Sequence, residues 1–273
     1  MFDVDLYSEA LQKDTVIRVI LPNPRDLDGR KLRTMTLLHG RQAGYSKWMN
    51  RVPMELYVRK YKLAVIMPDA EDSYYTNIYY GNRYWEYISE EMLPCIRKIF
   101  PILSEKREDN YAAGSSMGGY GAMKLALSRS EVYGAAASLA GAVSIFDRFQ
   151  DANFRPLGRR VFGDVENVVY TENDLFYLVE ELVRKQAEIP RLYVCCGRQD
   201  FLYESNVRWK HHLEALKVDF TYEEWDGVHD WIFWDKAIRN VLNWLKLDGQ
   251  GGIEKWQCFR WIFILSVFRK MQP

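Results

Sequence analysis

The sequence predicts an α/β fold in which a mostly parallel sheet is covered by helices on both faces. Short apolar runs of strand length alternate with longer segments of helical periodicity, the pattern of parallel strands joined by crossover helices. The chain has 273 residues, of which 48% are hydrophobic and 27% charged, a globular composition. This length is enough for one large domain, and no internal repeat divides it.

Four strands and one helix are predicted in the first half of the chain. Apolar runs bounded by proline or glycine mark the strands, and apolar residues at helical spacing mark the helix. The predicted strands are residues 16–21, 35–38, 63–67 and 111–113, and the predicted helix is residues 84–99. The strand at 35–38 runs directly into His39-Gly40, so a loop is expected to begin there.

The second half of the chain continues the alternation. Its predicted elements are a helix at 117–127, strands at 134–139, 192–196 and 220–225, and a last helix at 231–242. Residues 143–173 break the pattern, because they are polar and aromatic and carry Pro156, Gly158 and Gly163. We expect this segment to be a small, cap-like insertion over the C-terminal edge of the sheet and the active site.

The composition changes after Asp248, which ends the predicted domain of residues 1–248. Gly249-Gln250-Gly251-Gly252 is typical of a flexible linker, and an apolar tail rich in Trp, Phe and Ile follows to residue 273. The first interpretation is a helix that docks on its own domain or on another subunit. A homo-oligomer is the expected state of the protein. A peripheral membrane anchor is the alternative, because Arg260, Arg269 and Lys270 flank the apolar block.

Charge and cysteine content exclude several function classes. The 37 basic and 37 acidic residues leave no net charge to attract nucleic acid or an anionic membrane. No segment approaches the length of a membrane span, and the first residues do not resemble a signal peptide. The four cysteines are scattered and form no zinc spacing, so we expect reduced thiols, no metal, and a cytoplasmic protein.

Gly114-Ser115-Ser116-Met117-Gly118 matches the G-x-S-x-G pattern and lies between a predicted strand and a predicted helix. Ser116 would occupy a sharp turn, where Gly114 and Gly118 let chain segments pack closely. The following helix would aim its N-terminal amides at the serine oxygen. The motif predicts that Ser116 is a nucleophile, whereas Ser115 lies off its centre and is expected to point elsewhere.

A serine nucleophile needs a base, and the chain offers four histidines. His211 and His212 lie in a helical pattern typical of surface residues, and His39 suits a loop-forming role. His229 follows the last strand and precedes the final helix, which is where the base of a Ser…Asp…His order is expected. His229 is therefore the predicted base for Ser116.

The acid that orients the histidine should follow the preceding strand. Asp200 comes just after residues 192–196, and its carboxylate would hold the imidazole tautomer and stabilise the imidazolium. Glu204, Asp226 and Asp230 are the rivals. The last two are close in sequence to the histidine and cannot easily meet its ring from behind.

Backbone amides are predicted to bind the oxyanion. One donor is the N–H of Met117, the residue after the nucleophile, and the other should come from the loop at residues 39–44. Gly40 permits close approach of that loop, and the Arg41 amide is the candidate donor.

Five separated blocks of the chain resemble the tributyrin-esterase branch of the esterase D-like α/β hydrolases, over about residues 1–247. The blocks are Leu38-His39-Gly40, Met67-Pro68, Ser116-Met117-Gly118-Gly119-Tyr120-Gly121, Gln199-Asp200-Phe201-Leu202-Tyr203 and His229-Asp230-Trp231. The resemblance implies an α/β-hydrolase fold and a cofactor-free serine carboxylesterase acting on short acyl or aryl esters, such as acetyl, butyryl and cinnamoyl esters. It assigns Ser116, Asp200 and His229 to the triad, and the amides of Arg41 and Met117 to the oxyanion hole.

Three other functions stay open beside the esterase. Related folds include acyltransferases and S-formylglutathione hydrolases, although the loop at 39–44 lacks the cysteine pattern of the latter. A non-catalytic binding module that keeps the pocket is the third.

Aromatic residues near the matched blocks predict a short substrate slot. His39, Gly40, Tyr75 and Trp231 are the expected substrate contacts. Further aromatic candidates are Tyr74, Phe233, Phe146, Phe149 and Phe154. Walls of this kind favour acyl chains of two to four carbons or a flat aryl acid.

Overall fold

Eight strands form one sheet in the computed structural model, which describes residues 1–27 and 29–247. Their order across the sheet is β1-β2-β4-β3-β5-β6-β7-β8. Only β1 and β2 run antiparallel to their neighbours, and the six remaining strands are parallel. The strands are β1 Phe2–Ser8, β2 Lys13–Ile20, β3 Arg33–Leu38, β4 Leu63–Pro68, β5 Asn110–Ser115, β6 Ala135–Leu139, β7 Arg191–Gly197 and β8 Phe220–Trp225.

The described helices connect these strands and cover the sheet. They are α1 Met54–Tyr61, α2 Tyr84–Glu86, α3 Met92–Ile99, α4 Met117–Ser128, α5 Ile145–Gln150, α6 Arg155–Phe162, α7 Leu175–Arg184, α8 Tyr203–Ala215 and α9 Trp231–Trp244. A π-helical turn, Tyr87–Glu91, joins α2 to α3. Pro94 follows that turn and lacks an N–H, so regular α-helical bonding cannot run unbroken through this region.

Two hydrophobic cores lie on opposite faces of the sheet. Strand β4 shows the alternation, since Ala64 and Ile66 belong to one core while Val65 and Met67 belong to the other. Helices α3, α4, α7 and α8 contribute to the first core, and α1 and α9 contribute to the second. Strands buried on both faces read as continuous apolar runs, which explains why β3 and β4 were recognisable in the sequence.

The structure confirms the predicted α/β arrangement, and the ends of the predicted strands differ from the observed ones by three residues at most. It adds β1, which the sequence analysis did not identify, and helices α1 and α7. The predicted helix at 84–99 is present but is divided by the π-helical turn. Residues 143–173 contain α5, α6 and a 3₁₀ turn, Val165–Val168. The predicted linker and tail at 249–273 lie outside the described residues.

Candidate active site

Ser116 lies at the turn between β5 and α4 in a backbone conformation that few non-glycine residues adopt. Its φ is 56° and its ψ is −119°. The turn is held on both sides by the main chain: the Ser116 N–H donates to Leu139 O at 3.1 Å, and the Ser116 carbonyl accepts from Ala142 N–H at 3.1 Å. This conformation turns the side chain out of the sheet, as the motif predicts.

Two glycines let the chain approach Ser116 closely. A Cβ on Gly114 would lie 2.3 Å from the Gly118 carbonyl oxygen, and a Cβ on Gly118 would lie 2.3 Å from the Leu38 carbonyl oxygen. Both distances are far below van der Waals contact with backbone atoms, so only glycine fits either position. The second contact presses the start of α4 against the end of β3.

His229 and Asp200 complete a hydrogen-bonded chain with Ser116. His229 Nε2 lies 2.8 Å from Ser116 Oγ, and His229 Nδ1 lies 2.7 Å from Asp200 Oδ2. The Asp200 side chain is fully buried, and its other oxygen accepts the Leu202 N–H at 2.8 Å. The three residues come from the loops after β5, β7 and β8, so the parallel strands bring them to one edge of the sheet.

Two of the rival acids have other partners in the structure, and Glu204 is exposed. Asp226 is exposed and faces Arg198 and Gln199. Asp230 caps α9, with its Oδ1 accepting the Phe233 N–H at 2.9 Å. Asp200 is thus the carboxylate that meets the His229 ring.

The backbone amides of Met117 and Arg41 belong to chain segments that adjoin Ser116. Met117 is the first residue of α4, so its N–H has no intrahelical acceptor. Gly40 lies against the nucleophile, since a Cβ there would be 3.4 Å from Ser116 Cβ. The amide of Arg41 follows Gly40 directly, and the contact between Gly118 and Leu38 fixes both chain segments side by side. This geometry suits two donors to a developing oxyanion.

His39 and Tyr75 lie beneath the cavity and not in its wall, so the prediction that they contact substrate does not fit their placement. His39 is 1% exposed, and its Nε2 accepts the Ala70 N–H at 3.0 Å. Nδ1 therefore carries the proton and donates to Gly40 O at 2.9 Å. Burial lowers the pKa of His39, which keeps this ring neutral. Tyr75 is fully buried and donates to His39 O at 2.7 Å. Both residues hold the start of the loop at residues 39–44 in place.

Lys124 lies in α4, the helix that begins directly after Ser116. The sequence analysis did not single it out. Its side chain is fully buried, donates to Asn173 Oδ1 at 2.7 Å and to Tyr75 O at 3.3 Å, and lies 4.1 Å from the centre of the Trp85 ring. Burial lowers the pKa of Lys124 to about 7. Its signal in the sequence was a single charge in an otherwise apolar helix.

Ser116 and His229 line a cavity of about 680 Å³. Gly40, Arg41, Ser116 and Trp231 line it as predicted. Its aromatic lining residues are Tyr74, Phe154, Phe201, Trp231 and Trp234. Of the other aromatic candidates, Phe149 packs below Tyr74 and Phe233 stacks on Trp225, and neither lines the cavity.

Residues 143–173 reach this cavity through α5 and the following loop. Arg148, Asp151 and Phe154 are lining residues, and Lys47 faces them from the loop after β3. Sequence reasoning did not single out Arg148 or Lys47, since an isolated basic residue gives no signal of where its side chain lies.

Two kinds of functional feature are absent from residues 1–27 and 29–247. They hold no group of three or more His, Cys, Asp and Glu side chains that could bind a metal ion. None of the helices in this part of the chain is long and apolar enough to cross a bilayer.

Comparison with known proteins gives consistent results. Residues 8–245 match the family model Esterase, described as "Putative esterase". An acetyl esterase from Caldicellulosiruptor saccharolyticus is 32% identical over 263 residues, covering 90% of this chain and 97% of the relative.

Two solved structures from Staphylococcus aureus superpose over 89% of this chain and 97% of their own, at 34% identity. One is FphF, a fluorophosphonate-binding serine hydrolase solved with substrate, with a TM-score of 0.83. The other is the S-formylglutathione hydrolase FrmB as an apoenzyme, with a TM-score of 0.81. A ferulic acid esterase of 22% identity shares the fold, with a TM-score of 0.73.

Proposed function

The chain belongs to the esterase family of α/β hydrolases, is a carboxylic ester hydrolase, and we propose that Ser116, His229 and Asp200 are its catalytic triad. The observation that carries the assignment is the continuous hydrogen-bonded chain from Ser116 Oγ through the His229 ring to the buried Asp200 carboxylate. A hydroxyl, an imidazole and an orienting carboxylate in this order can form and hydrolyse an acyl-enzyme.

Acylation begins with attack of Ser116 Oγ on the ester carbonyl. His229 Nε2 takes the hydroxyl proton and hands it to the leaving alcohol, while Asp200 holds the ring orientation and stabilises the imidazolium. The amides of Arg41 and Met117 donate to the oxyanion of the tetrahedral intermediate. A water molecule then repeats the cycle on the acyl-enzyme, with His229 as general base.

The substrates are short-chain acyl or aryl esters, as the acetyl esterase relative supports. Tyr74, Trp231 and Trp234 stand in the cavity wall close to the triad residues. Such a slot accommodates an acetyl or butyryl chain, or a flat aryl acid that stacks on a ring. Longer chains gain about 0.8 kcal/mol per buried methylene only while the slot has room.

The proposal includes the cellular compartment and the oligomeric state. The enzyme works in the cytoplasm, which the free thiols of Cys95, Cys195 and Cys196 support. It also works as a homo-oligomer, and size-exclusion chromatography with light scattering tests this state directly.

S-Formylglutathione is a second candidate substrate, favoured by the 34% identity to the S-formylglutathione hydrolase FrmB. It is a thioester and reacts at the same triad by the same steps. It therefore belongs in any substrate panel beside acetyl and aryl esters.

The test is hydrolysis of p-nitrophenyl esters of rising chain length by wild-type protein and the Ser116→Ala variant. We expect kcat/KM to peak at about two to four acyl carbons and to fall by C8. Ser116→Ala should lose about 10⁴-fold or more in kcat while keeping its thermal unfolding midpoint, since only a hydroxyl is removed.

Labelling with a fluorophosphonate probe provides the control. The wild-type protein should be labelled at Ser116, and the Ser116→Ala protein should not be labelled. Near-normal turnover by the folded variant would refute the assignment. A preference for chains of ten or more carbons would refute the short slot.

A further inference from the structure

Three basic side chains surround the cavity above the triad. Arg41 comes from the loop after β3, Lys47 from the same connection, and Arg148 from α5 in the segment 143–173. Both guanidinium groups pack on one ring: the Arg148 Cζ lies 3.2 Å and the Arg41 Cζ 5.2 Å from the centre of Phe154. Stacking on an aromatic face fixes a guanidinium and leaves its N–H edge free to bind a planar anion.

Within the described part of the chain, none of these cations forms a close ion pair, although Arg148 feels the charge of Asp151 and hydrogen-bonds to Tyr74. No carboxylate there lies within 4.0 Å of a side-chain nitrogen of Arg41, Lys47 or Arg148. The cavity also contains Asp151 and Asp230, but one oxygen of each accepts a backbone N–H, from Asn153 and Phe233 respectively. The cavity lining therefore carries three cations and two carboxylates, an excess of one positive charge.

The position of Arg148 places positive charge near the alcohol part of the ester substrate. Its Cζ lies 4.9 Å from the centre of the Phe201 ring, and Phe201 lies 4.5 Å from the His229 ring, centre to centre. His229 is the residue that protonates the leaving alcohol in the proposed mechanism. Arg148 therefore lies on the leaving-group side of the nucleophile.

We propose that the enzyme selects esters whose alcohol part carries a carboxylate, bound by Arg148 and Arg41, which both pack on Phe154. This inference rests on the proposed esterase function and adds the charge of the substrate to it. Arginine is suited to this task because its planar fork can bind both carboxylate oxygens at once. Half-burial of the two arginines strengthens the contact relative to one at an open surface.

A matched pair of acetate esters tests the proposal. 4-Acetoxybenzoate and 4-acetoxybenzamide have the same acetyl group and nearly the same shape, but only the first has a charged leaving group. Each rate is divided by the rate of its hydroxide-catalysed hydrolysis, which removes the difference in intrinsic reactivity. We expect wild-type kcat/KM, so corrected, to favour the benzoate by about tenfold at low salt.

Two variants and a salt series locate the effect. Arg148→Gln should bring the corrected ratio close to one, mainly through a higher KM for the benzoate. Arg159→Gln is the control, because Arg159 lies in the same segment, is exposed and does not line the cavity. It should keep the wild-type ratio. Raising NaCl to about 0.5 M should reduce the wild-type ratio by screening, a measurement that needs no variant.

Each outcome decides between the two proposals. A corrected benzoate-to-benzamide ratio near one in the wild-type protein overturns the charge selection, and so does a ratio that Arg148→Gln and salt both leave unchanged. Turnover of the benzamide in the same assay supports the esterase function. If the protein hydrolyses neither of these two esters and none of the esters in the chain-length panel, the esterase function is overturned, and this inference with it.

Discussion

The catalytic cavity is bordered by two regions that are built differently. The floor, residues 38–41 and 114–121, is mostly buried, and main-chain contacts shape it: Ser116 is held by backbone hydrogen bonds, and Gly118 lies against a backbone carbonyl. The wall, residues 143–173, is half-buried and presents long side chains such as Arg148 and Phe154.

This difference separates chemistry from selectivity. Backbone groups in the floor are held in fixed positions and lie next to the reacting atoms of every ester. A shift of these groups by a few tenths of an ångström should therefore affect every substrate. Side chains in the wall can change without moving the nucleophile, and they affect only the substrates they touch. Changes in the floor should therefore have large, general effects, and changes in the wall should have small, substrate-specific ones.

The largest effect among residues that support the nucleophile is expected for Asp200→Asn. An asparagine would fill the same space but would not hold the His229 tautomer or stabilise the imidazolium, so kcat should fall by about 10⁴-fold for every ester. Steady-state kinetics on p-nitrophenyl acetate measures the loss. Asp226→Asn is the matched control, being an exposed carboxylate in the adjoining loop, and should be near normal. Equal losses in both variants would contradict the assignment of the acid.

A smaller loss is expected from Gly118→Ala. The added Cβ would meet Leu38 O at 2.3 Å and Leu38 C at 2.7 Å, and neither backbone atom can move without shifting the oxyanion loop. We expect kcat to fall by about 10²–10³-fold, the usual effect of a misplaced donor.

Gly40→Ala is the comparison for this substitution. Its Cβ would meet Ser115 O and Ser116 Cβ at 3.4 Å, a nearly ordinary contact, so the loss should stay within about tenfold. Circular dichroism and thermal unfolding check that both variants fold. If Gly118→Ala were as active as Gly40→Ala, the close contact between α4 and β3 would not control the donors.

Lys124 joins the two regions, and its effect should appear in stability more than in rate. It reaches from α4, whose first residues belong to the floor, to Asn173 at the end of the wall, and burial lowers its pKa to about 7. Between that value and the ordinary lysine pKa near 10.4, the unfolded chain binds a proton that the folded chain lacks. The free energy of unfolding should therefore rise with pH in this window and fall as pH drops through about 7.

Urea denaturation of wild-type protein and Lys124→Met at pH 7 and 9.5 measures this contribution. Methionine has a similar length and no charge, so the groups that titrate in both proteins cancel in the difference. Relative to the variant, the wild-type protein should gain at most about 3 kcal/mol between the two pH values. A constant difference would mean that Lys124 titrates normally in the folded protein.

The floor could be predicted from the sequence because local rules determine it. The turn at Ser116 requires small neighbours and a strand followed by a helix, and these features are visible within a dozen residues. His229 and Asp200 were identified by their order after predicted strands, because parallel strands bring their carboxyl ends together. Strand β1 was missed although Phe2-Asp3-Val4-Asp5-Leu6 alternates apolar and acidic residues, as an edge strand does.

The wall could not be predicted in the same way. Whether Tyr74 or Tyr75 faces the cavity depends on two consecutive residues with positive φ, both at 53°, and no composition rule specifies that turn. Likewise, the contact of Arg148 with Phe154 and Phe201 arises from packing between segments far apart in the chain.

The two proposed oxyanion donors are backbone amides, which limits the substitutions that can remove them. Since every amino acid except proline supplies an N–H, no other substitution at Arg41 or Met117 deletes a donor. Position 117 is the more susceptible of the two, because proline is tolerated in the first turn of a helix. Proline there would remove the N–H without breaking α4. At position 41 the side chain and the backbone amide have separate proposed roles. A substitution there can change which alcohol groups the enzyme prefers, while the N–H that every ester needs is kept.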